Sequence, residues 1–131
     1  RTTGKEVWTT KLAQDAGADA GYPAAYDGVF VVAGQKGQQL KPEEGGNKIV
    51  LGLDVNTGHK LWEYAVDLPV WNFSPLFPGD NSTVFMDFSG GVYKLNLKTG
   101  EEIWRNLPPD SRGSFSDGGA TLGPNGLVYA C

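Results

Sequence analysis

The sequence predicts an all-β protein built from repeated four-stranded antiparallel sheets, and three observations carry that prediction. A short phrase occurs three times: Thr3-Gly4-Lys5-Glu6-Val7-Trp8, Thr57-Gly58-His59-Lys60-Leu61-Trp62 and Thr99-Gly100-Glu101-Glu102-Ile103-Trp104. Runs with a period of two precede the second and third copies, as half-buried strands require. The 19 glycines and 8 prolines suit a chain dense in turns. The glycines of the phrase lie 54 and 42 residues apart (Gly4, Gly58, Gly100), an interval typical of repeat architectures.

The elements follow in order. After the Thr3-Gly4 turn, residues 5–11 are predicted to be one isolated outer strand. Residues 13–20 are alanine-rich but broken by Gly17 and Gly21, so they are read as a loop between units. The first full unit spans 21–66. It opens with Gly21–Ala25, turns at Tyr26-Asp27-Gly28, and continues through Gly28–Val32 and Ile49–Val55 to the strand that carries Trp62. In its third strand Ile49, Leu51, Leu53 and Val55 share one face.

The second full unit spans 72–107, with strands near 73–77, 83–88, 91–97 and 102–106. Tyr93, Leu95 and Leu97 share one face of the third, and Val92, Lys94 and Asn96 the other. A last half unit, 118–131, repeats the first two strands around Pro124-Asn125-Gly126. Asn-Thr-Gly and Lys-Thr-Gly make the turns between third and fourth strands, with glycine supplying a positive φ.

The first unit is longer than the second. Gly28 to Gly58 is 30 residues, whereas Ser82 to Gly100 is 18. The surplus fits an insertion at Gln35–Gly46, between second and third strands. By the same spacing, the Thr-Gly of the last half unit would fall near position 144. The chain is therefore expected to be a segment of a larger repeat array.

Gly52-Leu53-Asp54-Val55-Asn56-Thr57-Gly58-His59-Lys60-Leu61-Trp62 resembles the Ala-x-Asp-x-x-Thr-Gly-x-x-x-Trp tryptophan-docking motif of the pyrroloquinoline-quinone (PQQ) type repeat. The third copy departs from it, with Lys94 and Asn96 in the Ala and Asp places. The resemblance implies a partial β-propeller of four-stranded blades. It also implies a structural role for Gly4, Trp8, Thr57, Gly58, Trp62, Thr99, Gly100 and Trp104, each Trp packing on a Thr-Gly turn of a neighbouring blade. A flat ring buries much apolar area, and glycine lets it approach the backbone. The fold hosts dehydrogenases, scaffolds and sensors alike, so it does not by itself give function.

A quinoprotein dehydrogenase needs a particular set of groups. Such an enzyme, the resemblance implies, holds its quinone beside a calcium-type ion with Asp, Glu and Asn ligands. Many carry a disulfide between adjacent cysteines. No Cys-Cys pair occurs, and the single Cys131 ends the sequence. Asp54, Asp87, Asp110 and Asp117 are scattered one per turn or loop, without calcium-ligand spacing. His59, the only histidine, sits in a turn beside Lys60, where a solvated role is expected. No catalytic, cofactor or metal residue is assigned, and no cofactor is expected. PQQ and calcium belong to the alternative reading, a fragment of a PQQ-dependent alcohol or sugar dehydrogenase.

The leading reading is a non-catalytic scaffold or interaction module. Long loops on one face of a repeat array often carry the specific function. Gln38 and Leu40 in the insertion, with Trp71, Asn72 and Phe73 at the entry to the next blade, are its candidate interaction residues. Filling the inter-blade core is the competing reading for Trp71 and Phe73, and a passive polar loop that for the insertion. A third reading is a sensor that takes an extended peptide at a sheet edge. Partners are expected to be other protein chains or further blades.

With 11 basic and 15 acidic residues the formal charge is −4. That disfavours nucleic acid, which is held by neutralising its phosphates. No stretch approaches the roughly 20 apolar residues of a membrane-spanning helix. An exported setting, periplasm or organelle lumen, is implied by the resemblance alone.

Overall fold

A computed structural model of the chain describes residues 3–12, 21–34, 46–109 and 119–130. These residues hold nine strands and no helix. Strands β1 (Ala24–Tyr26), β2 (Val29–Gly34), β3 (Asn47–Asp54) and β4 (Lys60–Val70) form one antiparallel sheet in the order β1-β2-β3-β4. Strands β5 (Ser82–Met86), β6 (Val92–Asn96) and β7 (Glu102–Asn106) form a second, and β8 (Ala120–Leu122) pairs with β9 (Val128–Ala130). Within each sheet spatial order follows chain order, so consecutive strands are antiparallel neighbours.

Local chemistry explains the turns. Tyr26 pairs with Val29 across a two-residue loop, Asp27-Gly28, whose φ angles are 44° and 81°. Positive φ at both central residues matches the right-handed twist of the strands, and Asp-Gly is a favoured pair there.

The two larger sheets pack face to face. Val31, Val50, Trp62 and Val66 of the first meet Phe85, Tyr93, Leu95 and Leu97 of the second, all buried. Phe85 and Tyr93 stack with centroids 5.4 Å apart, and Tyr64 meets both rings edge-on at 6.5 and 6.0 Å. The expected face of β6, with Tyr93 and Leu95, is the buried one, and Leu97 continues it just past the strand.

In β3 one face does not suffice. Leu51 and Leu53 join Val32 in a second cluster that also takes Leu12, while Val50 on the opposite face enters the main core. A sheet with neighbours on both sides buries both faces, so its middle strands read as continuous apolar runs.

Residues 5–11 pair with no strand among the described residues. Two expectations need correction. The strand expected at 73–77 is reduced to a single bridge, Leu76 to Val84. Pro75 and Pro78 have no N–H to give a ladder, Asn72 turns the chain with φ 47°, and the Phe73 carbonyl accepts from Tyr22 N at 2.6 Å instead. The strand with Trp62 runs on to Val70, past the expected limit at 66, because a register shift between Asn47 and Ile49 lets Val70 pair with Asn47. The alanine-rich segment 13–20 and all of the insertion except Gly46 lie outside the described residues.

Candidate functional site: tryptophan junctions and the loop end of the sheets

The repeated phrase builds the same turn twice. In the second copy Asp54 Oδ1 accepts from Asn56 N at 2.9 Å, Thr57 N at 2.9 Å and Thr57 Oγ1 at 3.0 Å. Gly58 N donates to Asp54 O at 2.8 Å and closes the loop. Hydrogen bonds to the charged form favour it. The Asn56 N–H foremost, then the Thr57 hydroxyl and N–H, hold the Asp54 carboxyl below its usual range. In the third copy Asn96 Oδ1 accepts from Lys98 N at 2.9 Å and Thr99 N at 3.1 Å. Asn in the Asp place therefore keeps the turn, since an amide oxygen accepts the same backbone donors.

A tryptophan lies on each of these turns. At Gly58, φ 71°, an added Cβ would come within 2.5 Å of Trp8 Cε3 and of Thr10 Oγ1. Trp8 Nε1 donates to Val55 O at 3.0 Å, and Thr10 Oγ1 donates to Gly58 O at 2.7 Å. At Gly100, φ 72°, an added Cβ would come within 2.7 Å of Trp62 Cγ and Cδ2. Trp62 Nε1 donates to Leu97 O at 2.8 Å. Val55 and Leu97 hold equivalent places three residues before the glycine.

Trp62 is also held from behind. Gly52 lies directly across the strand pair from it, and a Cβ there would fall 2.1 Å from the ring. The ring is therefore sandwiched between a glycine of its own sheet and a glycine of the next, and is 5 % exposed. In the third copy Lys94 stands opposite Trp104, and that indole is 39 % exposed. The first turn stands open, with nothing within 4 Å of a Cβ at Gly4 among the described residues.

The candidate interaction residues divide. Gln38 and Leu40 lie outside the described residues. Trp71 and Asn72 are half-buried. Phe73 is 1 % exposed and packs on Phe85 with centroids 5.6 Å apart. It belongs to the core, the competing reading for this residue: beside Asn72 the chain turns its side chain inward. Trp71 covers Gly46, the last residue of the insertion, where a Cβ would fall 2.7 Å from its Nε1. Trp71 and the root of the insertion thus meet.

His59 is exposed in its turn. Asp110, Asp117 and Cys131 lie outside the described residues.

The sequence reading missed two polar features. Asp87, placed there among scattered loop acids, is fully buried in the β5–β6 turn. Its Oδ1 accepts from Ser89 N at 2.9 Å, Ser89 Oγ at 2.9 Å and Gly91 N at 2.8 Å, and its Oδ2 from Tyr93 OH at 2.8 Å. Burial, then Asp87, push the Tyr93 hydroxyl far up. The pattern Asp87-x-Ser89-x-Gly91 was the available signal.

The second feature links the outer strands β4 and β7. Arg105 Nη1 meets Asp67 Oδ2 at 2.9 Å, and Tyr64 OH donates to Glu102. Desolvation, then Glu102, push the Tyr64 hydroxyl up to about 12. Glu102 lies inside the third copy of the phrase, but Tyr64, Asp67 and Arg105 follow the Trp of their strands, so the motif does not show the pairing.

Among the described residues no group of three or more His, Cys, Asp and Glu stands close enough to hold a metal ion. No helix there is long and apolar enough to cross a membrane.

Comparison with known proteins adds three findings. The profile of the family described as "Outer membrane protein assembly factor BamB" matches residues 1–121. The outer membrane protein assembly factor BamB of Burkholderia pseudomallei (strain K96243) is 31% identical over 133 residues, covering 79% of this chain and 35% of that protein. The chain thus spans about a third of that relative's length. The crystal structure of BamB from Moraxella catarrhalis superimposes with a TM-score of 0.66 at 19% identity, over 95% of this chain and 33% of that one. That likeness concerns the fold: these sheets are blades of a β-propeller built from PQQ-like repeats.

Proposed function

From the premise that the chain belongs to the family described as outer membrane protein assembly factor BamB, we propose that it is part of a non-catalytic β-propeller scaffold serving outer membrane protein assembly. The single observation that carries this reading is the family match across residues 1–121. The geometry agrees with it. The repeated residues bind the propeller to itself: Asp54 and Asn96 cap two turns, and Trp8 and Trp62 cover glycines of the next sheet. Under this reading Gly4, Trp8, Thr57, Gly58, Trp62, Thr99, Gly100 and Trp104 are structural, and no quinone or calcium is required.

The protein then works by contact, in an exported compartment facing the outer membrane. Its partners are other protein chains. The candidate face is the end of the sheets that carries the insertion, with Gln38 and Leu40, and the connection at Trp71 and Asn72. A half-buried tryptophan beside a polar insertion suits the centre of such a contact.

The test is affinity capture of the tagged full-length protein from detergent-solubilised envelopes, before and after deletion of residues 36–45. Co-purification of outer membrane assembly proteins, lost on deletion while the melting curve is kept, is the expected result. Solitary purification together with alcohol turnover in the presence of PQQ and calcium would replace the scaffold by a dehydrogenase.

A further inference from the structure

At the loop end of the sheets the structure holds a pocket of about 210 Å3, lined by Asp67, Leu68, Asp87, Ser89, Leu107 and Pro108. Three elements build it: the far half of β4, the β5–β6 turn, and the chain just past β7. Its walls are apolar where Leu68, Leu107 and Pro108 stand. Leu107 is 41 % exposed and available at the surface.

Its charge is unbalanced. Asp87 is 0 % exposed, and all four donors to it are neutral: Ser89 N–H, Ser89 O–H, Gly91 N–H and Tyr93 O–H. No Lys, Arg or His forms an ion pair with it among the described residues. Three of the donors fall on Oδ1 and one on Oδ2, so Oδ2 keeps acceptor capacity. Beside it, Arg105 serves Asp67 at 2.9 Å and Glu102 at 3.9 Å. Among the described residues Asp67, Asp87 and Glu102 against the one guanidinium leave two negative charges in excess. A carboxyl group held only by neutral donors among the described residues can still gain from a cation brought beside it.

We propose that this pocket receives a lysine or arginine side chain of a protein partner. The aliphatic stem would lie along Leu68, Leu107 and Pro108, and the cationic head would face Asp67 and the Asp87–Ser89 turn. Long basic side chains combine an apolar stem with a charged head in this way. Charge complementarity selects this occupant over an apolar one, which would cover the carboxylates without compensating them. The inference rests on the reading that the protein acts through protein partners. It concerns the same end of the sheets as the Trp71 connection, but different residues.

The test uses small probes, so its failure leaves the scaffold reading standing. The 15N-labelled full chain is titrated with acetyl-arginine amide, acetyl-lysine amide and acetyl-norleucine amide. The basic probes are expected to shift and saturate the amide signals of Leu68, Ser89 and Leu107, and the norleucine probe to leave them in place. Asp67→Asn should weaken binding of the basic probes roughly fivefold, equivalent to about 1 kcal/mol, with the remaining spectrum unchanged. Added salt should weaken it further. Equal response to norleucine, shifts elsewhere only, or no response in the presence of a native spectrum would overturn the proposal. If Asp67→Asn perturbs the fold, Leu107→Ser replaces it. Its side chain is exposed, and undiminished binding in that variant would equally overturn the pocket.

Discussion

Trp62 shows how much one residue carries. It is covered on both sides by glycines, donates its indole N–H, and is almost wholly buried. Trp62→Ala should lower stability by about 3–5 kcal/mol, the range for a large aromatic removed from a core, read from chemical denaturation of the full-length protein. Gly52→Val should destabilise as well, because a Cβ there would fall 2.1 Å from the same ring. An unchanged denaturation midpoint in either variant would remove the sandwich.

Asp54 allows a second residue-level prediction, this one in pH. Its folded-state pKa lies below the ordinary carboxylate value, because the turn donates to its charged form. Its contribution to stability is therefore present above about pH 4 and is lost as pH falls through the lower folded value. Asp80, lowered by Lys94 and Ser82, acts in the same direction. Asp54→Asn copies Asn96 and cannot titrate. It should keep the fold at pH 6 and shrink the drop in urea midpoint between pH 6 and pH 3. An unchanged acid drop would show that the turn does not bind the charged form preferentially.

At the scale of the element, buried and exposed polar links should behave differently. Tyr93→Phe removes the only donor to Asp87 Oδ2 among the described residues, inside a fully buried turn. It should cost about 1–3 kcal/mol, as leaving a buried acceptor unsatisfied does. Arg105→Ala removes an ion pair whose side chains are 43% and 49% exposed. Solvent screens such pairs, so the loss should stay under about 1 kcal/mol. Thermal or urea unfolding of the two variants side by side checks the order, and a larger loss at Arg105 would reverse it.

At the scale of the whole molecule, the propeller is held by heterologous contacts that run one way round. Trp8 reaches the turn of the next unit, and Trp62 the turn of the one after. The scaffold reading predicts that PQQ with calcium leaves the melting temperature of the full-length protein unchanged. A ligand bound to the native state would raise it by mass action, so a clear rise would favour the dehydrogenase alternative.

The sequence by itself determined the repeat, its phase and its turns. These depend on local chemistry: Thr-Gly for positive φ, Asp54 or Asn96 to cap, and alternation to set the faces of β6. Tertiary structure alone decided the rest. Residues 73–77 read as a strand, yet the backbone groups of Phe73 and the prolines after it serve other ends than a ladder. Phe73 and Trp71 are chemically alike and two residues apart, but only the positive φ of Asn72 and the facing Phe85 send one ring into the core and leave the other beside Gly46. Asp87 looked like any loop acid until its turn closed around it. Burial depends on what comes from the other sheet, and a pattern along one strand does not contain that information.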